Sequence, residues 1–574
     1  MSENGRSALP IVGVALKGAN VRGKGVMLGL PLCAFVLALV LGGSAGATVN
    51  RAAAGGTLVF AGAADPTYLD PALVSDGESF RVTEQIFEGL VQIRPGTTSI
   101  RPALATRWTT GRDGKSYTFF LRKGVKFQDG TKFNAKAACW NFNRWYNFTR
   151  PFQDASATYY YQAIFGGFHH NESNSLSPAL FRSCTAAGQY KIVVRLTRRN
   201  GPFLPAMSLS AFAMQSPTAI QKYGGNQGEL RSGTFYPTGS YAFSHPTGTG
   251  PFRLQSWTVG QRIVLVRNTS YWGKKAKLDR VIIQPISNNE ARLQALKSGA
   301  INGYDLVAPQ DIGSIRGDQK LKTLDRPPFN VAYVTINQAH APFDKLAVRQ
   351  AVAYGLDRAS VVRSFYFGRA VVAKEFLPPQ IFGWTNKVPK YPYNPTKAKQ
   401  LLQSAGLTLP VKVDFWYPTG VSRPYMPNPA LNFQAFSDSL EKSGFKVVPH
   451  TAPWRPDYVK DVNQGTAGDL NLIGWTGDYG DPDNFVGVFF GNYSAQFGFH
   501  NNAIFNILKR GQEEVNFKKR IALYKKANVM IMKYLPAVPY AHSKPALAFQ
   551  RSVKGYVPNP TGTDFFFPVY FGGQ

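Results

Sequence analysis

Cysteine is scarce in this chain of 574 residues, which contains three. Cys33 lies inside an apolar run near the start and lacks the small residue that normally precedes a lipidated cysteine, so we expect no lipid anchor there. If the start is removed on export, Cys139 and Cys184 are the only thiols left, and an even number predicts one disulfide between them. Two buried free thiols are the alternative, because no local motif fixes the geometry of the pair.

Signatures of catalysis are missing. The chain has no G-x-S-x-G elbow, no H-E-x-x-H pair and no P-loop, and the glycines at 248–252 lack the helix that a dinucleotide site requires. The seven histidines are dispersed, and the one adjacent pair, His169 and His170, is more typical of a polar loop than of a metal site. We therefore expect no enzyme, no cofactor and no metal. A secreted hydrolase that uses carboxylates as acid and base is the competing hypothesis.

The first residues resemble an export signal. Four basic residues precede an uncharged stretch, residues 25–47, that ends in the small residues Ala45-Gly46-Ala47. This pattern predicts a signal peptide over residues 1–47, and hence a protein of the periplasm or the outer face of the cytoplasmic membrane. An uncleaved anchor is the alternative, because residues 26–41 are apolar throughout.

Acidic residues are few, since 33 Asp and Glu oppose 65 Lys and Arg. Cleavage after Ala47 removes four basic residues and one acidic residue from the formal charge of +32, which leaves +29. The basic residues are dispersed, with the densest groups at 517–526 and 196–200. This distribution argues against nucleic acid as the partner and favours attraction to an anionic envelope surface. A nucleic-acid or envelope-polymer binder is kept as a third hypothesis.

Apolar runs bounded by turn residues predict strands at the five segments given at the end of this paragraph. Helical patterns lie between the strands, as in NPTKAKQLLQSAG, where Asn394 is expected to cap the helix, Pro395 to begin it and Gly406 to end it. The class is therefore mixed α/β, and the length predicts two or three lobes. The predicted strands are 57–63, 116–122, 191–197, 262–268 and 331–338.

Residues 411–478 read as a β-α-β-α-β unit. Such a unit is expected to pair its three strands in parallel through right-handed crossovers, so their carboxyl ends share one edge. Arg423 follows the first of these strands, and Asp478 follows the last. Both loops therefore open on the edge where ligands bind in open α/β sheets.

Negative charge is concentrated in GWTGDYGDPDNF, residues 474–485, which contains three aspartates. A calcium site is not expected, because the spacing differs from the calcium-loop pattern and no glutamate closes it. Asp481 and Asp483 fit a turn in which Asp483 caps the following helix. Asp478 is left to meet a cation in a partly desolvated crevice.

Arg423 supplies the opposite charge. Its planar guanidinium suits a carboxylate, and Pro424 restricts the backbone beside it. A small zwitterion between the two loops would place its amine at Asp478 and its carboxylate at Arg423. The alternatives are a direct salt bridge between Arg423 and Asp478, or two unrelated surface charges.

The chain resembles the family 5 extracellular solute-binding proteins of ABC importers over about residues 57–565. The segments that carry the resemblance are DPALVSDGESFRVTEQIFEGLV (70–91), YTFFLRKGVKFQDGTKFNA (117–135), GTGPFRLQSW (248–257), LVRNTSYWGKKAKLDRVIIQPI (265–286) and VRQAVAYGLDRASVV (348–362). The resemblance implies a non-catalytic, monomeric receptor that delivers solutes to a membrane permease. Residues 150–245 match the family poorly.

VSRPYMPN and GWTGDYGDPDNF are most similar to the dipeptide receptors of that family. The likeness implies that Arg423 binds the carboxylate of a dipeptide or short peptide and that Asp478 binds its amine. It also implies a set of pocket-lining residues, while Tyr159 to Tyr161 fall near a pocket aromatic of those receptors or serve only in packing. The same fold with a longer peptide, a metal chelate or a sugar is the alternative. The implied lining residues are Tyr425, Trp475, Thr476 and Gly477.

The family fold implies a type II periplasmic-binding-protein architecture of the three-lobed kind (cluster C), with a two-hinged cleft. The chain is expected to pass to the third lobe near RPPFNVAY and to return near YAHSKPALAF, with ligand between the first and third lobes. The implied boundaries are 56–88, 248–325 and 540–574 for domain I, 89–247 for domain II and 326–539 for domain III.

Overall fold

The computed structural model describes residues 55–572, so the predicted signal peptide lies outside the described residues. Within this range, no helix has the length and apolar character needed to cross a membrane. The strands are β1 (Thr57–Gly62), β2 (Val91–Ile93), β3 (Ile100–Pro102), β4 (Ala105–Thr110), β5 (Ser116–Leu121), β6 (Phe181–Ala186), β7 (Lys191–Leu196), β8 (Gly228–Arg231), β9 (Thr234–Pro237), β10 (Phe252–Thr258), β11 (Arg262–Arg267), β12 (Arg280–Pro285), β13 (Gly303–Tyr304), β14 (Leu321–Asp325), β15 (Asn330–Ile336), β16 (Ala370–Val372), β17 (Val411–Thr419), β18 (Phe445–Pro453), β19 (Leu470–Thr476), β20 (Ala537–Ser543), β21 (Ala546–Gln550), β22 (Val553–Lys554) and β23 (Tyr570–Phe571).

Helices alternate with these strands, together with short 3-10 turns and one π-helical turn at Trp454–Tyr458. The α-helices are α1 (Gly77–Ile86), α2 (Ala135–Tyr146), α3 (Ala155–Phe165), α4 (Phe203–Ala206), α5 (Pro217–Lys222), α6 (Tyr241–Ser244), α7 (Asn289–Ser298), α8 (Ile312–Gly317), α9 (Leu346–Gly355), α10 (Arg358–Phe365), α11 (Pro395–Ser404), α12 (Pro429–Lys442), α13 (Val459–Gln464), α14 (Val486–Phe490), α15 (Asn502–Glu513) and α16 (Phe517–Tyr534). The 3-10 turns are Pro71–Leu73, Ser210–Phe212, Pro309–Asp311, Pro482–Asn484 and Ala495–Phe497.

The predicted mixed α/β class is confirmed. Each of the five predicted strands matches an observed one, namely β1, β5, β7, β11 and β15. The predicted helix is α11, where the Asn394 side chain accepts a hydrogen bond of 2.9 Å from the Lys397 amide. Gly406, just beyond the helix, has a φ of +79°, which favours glycine over other residues. Capping and stop signals in the sequence therefore set these helix ends.

Two large sheets organise the chain. The first has seven strands in the order β10-β11-β12-β1-β13-β21-β14, and β1 at its centre runs parallel to both of its neighbours. The second has six strands in the order β16-β20-β15-β19-β17-β18, and the most extensive group of buried apolar side chains packs around it. Each sheet thus has its own hydrophobic core.

The chain passes between these two sheets twice. It runs from β14 of the seven-stranded sheet to β15 of the six-stranded sheet through residues 326–329, and it returns from β20 to β21 through Lys544 and Pro545. The two passages lie side by side, because the Arg326 amide donates a 2.9 Å hydrogen bond to the Pro545 carbonyl oxygen.

Arg326 also anchors a buried ionic network under the first passage. Its guanidinium lies 2.6 Å from the Asp564 carboxylate and 3.1 Å from that of Asp305. Arg81 binds the same two carboxylates at 2.6 and 2.9 Å. The network therefore joins four distant segments of the chain beside the crossing point.

A four-stranded antiparallel sheet, β4-β5-β7-β6, forms a further unit. Cys139 of α2 and Cys184 of β6 form a disulfide in this unit, with 5.2 Å between their Cα atoms. The bridge therefore fastens the helix to the edge of the sheet and encloses a loop with a sequence separation of 45.

Reduction of this disulfide should lower the free energy of unfolding by about 2–4 kcal/mol, because a cross-link restricts the unfolded chain. Urea denaturation with and without a reducing agent measures the difference. The double variant Cys139→Ala with Cys184→Ala is the control, and its stability should not respond to the reductant. Peptide mapping without reduction that finds both thiols free would contradict the bridge.

Candidate functional site

The three strands of the predicted β-α-β-α-β unit are parallel, as expected. Strand β17 pairs in parallel with β18 along its whole length and with β19 on its other side. The chain thus moves outward from β17 to β18 and then back across β17 to β19, so the strand order reverses between β17 and β19. The carboxyl edge at such a reversal is where open α/β sheets bind ligands.

A crevice opens at this reversal. Strands β17 and β19 pair only at Phe415 with Leu470 and at Trp416 with Asn471. Beyond that point β17 stays paired with β18, whereas β19 stays paired with β15, so the two strands diverge. The Tyr458 hydroxyl lies in the gap and donates a 2.7 Å hydrogen bond to the Leu472 carbonyl oxygen.

Arg423 lies in the loop that follows β17. The loop is tight, because the amide and carbonyl groups of Arg423 and Met426 exchange hydrogen bonds of 3.1 and 3.0 Å. The guanidinium lies over the Trp454 ring at 5.0 Å, and Trp454 itself follows the end of β18. The Arg423 Nε atom is buried and has no hydrogen-bond partner within the described part of the chain. The charge of Arg423 is also not paired with a carboxylate among the described residues.

Asp478 lies two residues beyond β19 and is partly buried. Asn484 fixes it, since the Asp478 amide donates to Asn484 Oδ1 at 2.6 Å and Asn484 Nδ2 donates to the carboxylate at 3.2 Å. Burial raises the pKa of Asp478 to about 6, and hydrogen bonds from Tyr160 and Asn484 oppose this shift. The carboxylate has no cationic partner among the charged side chains of residues 55–572.

The other two aspartates are structural. Asp481 binds Arg520 at 2.5 and 2.8 Å and caps the 3-10 turn Pro482–Asn484 by accepting from the Asp483 amide at 2.9 Å. The prediction that Asp483 caps the next helix was wrong, because Pro482 starts the turn earlier and puts Asp481 at the cap position. Asp483 instead accepts from Gln512 and Tyr524. Within residues 55–572 no three His, Cys, Asp or Glu side chains are grouped as metal ligands.

The four predicted lining residues have different roles in the structure. Tyr425 is buried with its ring against Gly474 of β19, so it supports the loop of Arg423. Trp475 is partly buried with its ring edge-on to Phe489. The Thr476 hydroxyl is buried without a hydrogen-bond partner among the described residues. Gly477 has no room for a side chain, because a Cβ would lie 2.3 Å from the Phe329 ring.

Arg423 and Asp478 stand on the same sheet edge without touching. Among the ion pairs of the described residues none joins the two, so the predicted alternative of a direct salt bridge is wrong. Arg423 also lines a small cavity, partly open to solvent, together with Arg369 and Lys544. Asp478 does not line that cavity.

Residues 99–497 match the model of the "Bacterial extracellular solute-binding proteins, family 5 Middle". This chain belongs to that family. The predicted resemblance is therefore confirmed, and so is the fold class, since solved structures of the family superpose along the chain. Proteins of family 5 are solute-binding proteins rather than enzymes.

Two relatives illustrate the range of the family. The chain is 32% identical to heme-binding protein A of Haemophilus influenzae, over 92% of this chain and 94% of the relative. It is 29% identical to the dipeptide-binding protein of Escherichia coli, over 90% of this chain and 95% of the relative.

Solved structures of peptide-binding proteins also match this chain. The DppA periplasmic binding protein of Helicobacter pylori, in complex with the peptide STSA, is 28% identical with a TM-score of 0.77, over 90% of this chain and 98% of that one. A dipeptide-binding protein of Pseudoalteromonas sp. SM9913, in complex with Met-Leu, has a TM-score of 0.78 over 90% of this chain and all of its own, but at 23% identity it supports the fold alone.

Asn484 and Trp454 are absent from the predicted site of this family 5 protein. Trp454 directly follows β18. The rule that ligands bind at the carboxyl ends of parallel strands, which placed Arg423 and Asp478, therefore also predicts Trp454 at the site. Asn484 lies within the aspartate-rich segment, but no sequence pattern showed that its amide would turn back to Asp478.

Proposed function

We propose that this family 5 protein is the receptor of an ABC importer and captures dipeptides or short peptides. Arg423 binds the ligand carboxylate, and Asp478 binds its amine. One observation carries the proposal: two opposite charges, neither neutralised by a side chain of the described residues, follow neighbouring parallel strands where the strand order reverses. A zwitterion supplies the missing partner for each charge.

Besides Arg423 and Asp478, two tyrosines of α3 contribute to the proposed site. Tyr160 of α3, which belongs to the unit with the four-stranded sheet, lies close enough to Asp478 to lower the pKa of its carboxyl group. Burial, and to a smaller extent the negative charge of Asp478, raises the pKa of both Tyr159 and Tyr160. We infer that these tyrosines close over the amine end of the ligand, in addition to the residues predicted as lining.

We also propose the three-domain division given above, with domain I at 56–88, 248–325 and 540–574, domain II at 89–247 and domain III at 326–539, except that the last boundary moves to Lys544 and Pro545, because β20 (Ala537–Ser543) pairs within the six-stranded sheet. The two passages between the large sheets then serve as the hinge. Closure presents the bound receptor to permease subunits at the membrane, outside the cytoplasm. The receptor acts as a monomer and does not require nucleic acid.

Calorimetry with a dipeptide library tests the function. Peptides with both ends free should bind, whereas those acetylated at the amine or amidated at the carboxylate should bind far more weakly, because each blocked end leaves one buried charge unpaired. The peptides should be recovered intact afterwards. Hydrolysis of the peptides would contradict the proposal and support the hydrolase hypothesis, while equal binding of free and blocked peptides would overturn the roles of both charges.

A different solute is the second candidate, because the relative at 32% identity is named a heme-binding protein. Heme is an iron chelate, so a metal chelate stays among the alternative ligands, beside longer peptides and sugars. Native mass spectrometry of the protein purified without denaturation separates these by the mass of the retained ligand, and a heme would also show in the visible absorption spectrum. Peptide in the purified protein would favour the first candidate.

Affinity for free dipeptides should fall as the pH is lowered from about 7 to about 5. The pKa of Asp478 is raised to about 6, so its carboxylate is charged at the upper end of this range and increasingly neutral at the lower end. Below the pKa, each unit of pH should weaken amine binding by up to about tenfold. Calorimetry across this range measures the effect.

The Asp478→Asn variant is the control for this pH dependence. Asp483 also has a pKa raised to about 6 by burial, and it remains in the variant. If the variant keeps the same pH dependence as the unaltered protein, the titrating group is not Asp478.

A further inference from the structure

The two most basic segments of the sequence lie together in the structure, although more than 300 residues separate them. The Gly201 amide, just after the segment 196–200, donates a 2.7 Å hydrogen bond to the Gln512 carbonyl oxygen, just before the segment 517–526. A Cβ built on Gly114 would lie 3.0 Å from Val515 Cγ1 and 3.3 Å from Arg199 Cγ. Three turns therefore meet at this surface, from 111–116, 198–201 and 514–517.

Five exposed cations surround this junction, and we call them the basic patch. None of the five forms an ion pair with a carboxylate among the described residues. Arg199 is held in place, because its Nε donates a 3.0 Å hydrogen bond to the Asp113 carbonyl oxygen. The cations of the basic patch are Arg112, Lys115, Arg199, Lys518 and Lys519.

Three carboxylates lie in or next to the same turns, and two of them accept local hydrogen bonds. Asp113 accepts from the Lys115 amide at 2.9 Å, and Glu514 accepts from the Asn516 amide at 2.8 Å. Glu513 is the third. The cations therefore outnumber the carboxylates, and Arg520, the buried neighbour, is already neutralised by Asp481.

Two apolar side chains project from the centre of the basic patch. Val515 is 54% exposed and Phe517 is 57% exposed. Phe517 begins α16, and the Asn516 side chain caps this helix. The centroid of the Phe517 ring lies 5.0 Å from the centroid of the Phe382 ring. A capped helix start thus holds the two side chains at the surface, between the cations.

We propose that the basic patch docks on an anionic lipid bilayer, with the cations against the lipid phosphates and Val515 and Phe517 in the interfacial region. Aromatic and apolar side chains flanked by Lys and Arg are the composition that binds membrane interfaces. An acidic protein is the less suitable partner, because a stable protein interface buries about 800 Å² per partner and needs a larger apolar centre than two side chains. The excess of positive charge over the whole chain, +32, adds to the same attraction.

Co-sedimentation of the full chain with vesicles tests the proposal. Vesicles of phosphatidylcholine with about one-quarter phosphatidylglycerol are compared with pure phosphatidylcholine at low and at near-physiological salt. We expect stronger binding to the anionic vesicles than to pure phosphatidylcholine. The double variant Lys518→Gln with Lys519→Gln should lower the partition coefficient by about 10–30-fold, and Val515→Ser with Phe517→Ser should lower it at constant charge.

The matched control is Lys274→Gln with Lys275→Gln, an exposed pair on the loop before β12 that removes the same charge. It should lower the partition coefficient by less than about threefold. Residues 1–54 are the same in every variant, so a difference in partition coefficient between two variants comes from the substituted side chains. An equal loss in both lysine variants would show that only the net charge matters and would overturn the proposal. Failure to bind either kind of vesicle would also overturn it and would leave an acidic protein as the occupant.

Discussion

Replacing Asp478 with asparagine should weaken the binding of free dipeptides by about 30-fold to several thousand-fold, which corresponds to about 2–5 kcal/mol. Asparagine keeps the shape of the side chain and can still pair with Asn484, but it leaves the ligand ammonium group without a counter-charge in a desolvated crevice. Calorimetry with a dipeptide that the unaltered protein binds measures the loss.

Two controls isolate the charge of Asp478. Asp438→Asn on the exposed side of α12 removes the same charge elsewhere and should leave affinity unchanged. A dipeptide with an acetylated amine should bind the unaltered protein and Asp478→Asn about equally weakly, because it has no ammonium group to lose. Full affinity of Asp478→Asn for the free peptide would remove the proposed role of this residue.

Replacing Arg326 with methionine should lower the free energy of unfolding by about 3–5 kcal/mol. Arg326 is 3% exposed, and its loss leaves the fully buried Asp564 with Arg81 as its remaining cationic partner. A buried carboxylate that loses a counter-ion keeps its desolvation cost without the attraction that offset it. The first transition in urea denaturation, followed by circular dichroism, reports the change.

Arg231→Met is the matched control for Arg326→Met. Arg231 also lies 2.6 Å from a carboxylate, that of Glu229, but both side chains are more than half exposed. The loss should therefore be much smaller than that of Arg326→Met. Similar losses in the two variants would mean that the network of Arg326 does not support the crossing between the sheets.

The local signals in the sequence were sufficient for much of the fold. Asn394, Pro395 and Gly406 define α11 because each acts on the backbone beside it. The three parallel strands follow from the alternation of apolar runs with helical patterns, and right-handed crossovers then put Arg423 and Asp478 on one edge.

The sequence was insufficient where a contact joins distant segments. Asp481 pairs with Arg520, which is 39 residues away, and Tyr160 reaches Asp478 from another unit of the protein. No periodicity or capping pattern encodes such a meeting. The wrong cap at Asp483 has a local cause instead, because Pro482 takes the first position of the 3-10 turn and puts the cap at Asp481.

The parallel passages beside Arg326 and Pro545 have a consequence for the order of events during capture. Arg423 and Asp478 both extend from the six-stranded sheet, so their separation is independent of any swing of that sheet about the paired segments. If Arg423 and Asp478 have the proposed roles, the open receptor presents both charges at the same spacing as the closed one. On the proposed roles, the spacing of the ligand's two charged ends is selected before the lobes close, and closure adds Tyr159 and Tyr160 of α3 and excludes water.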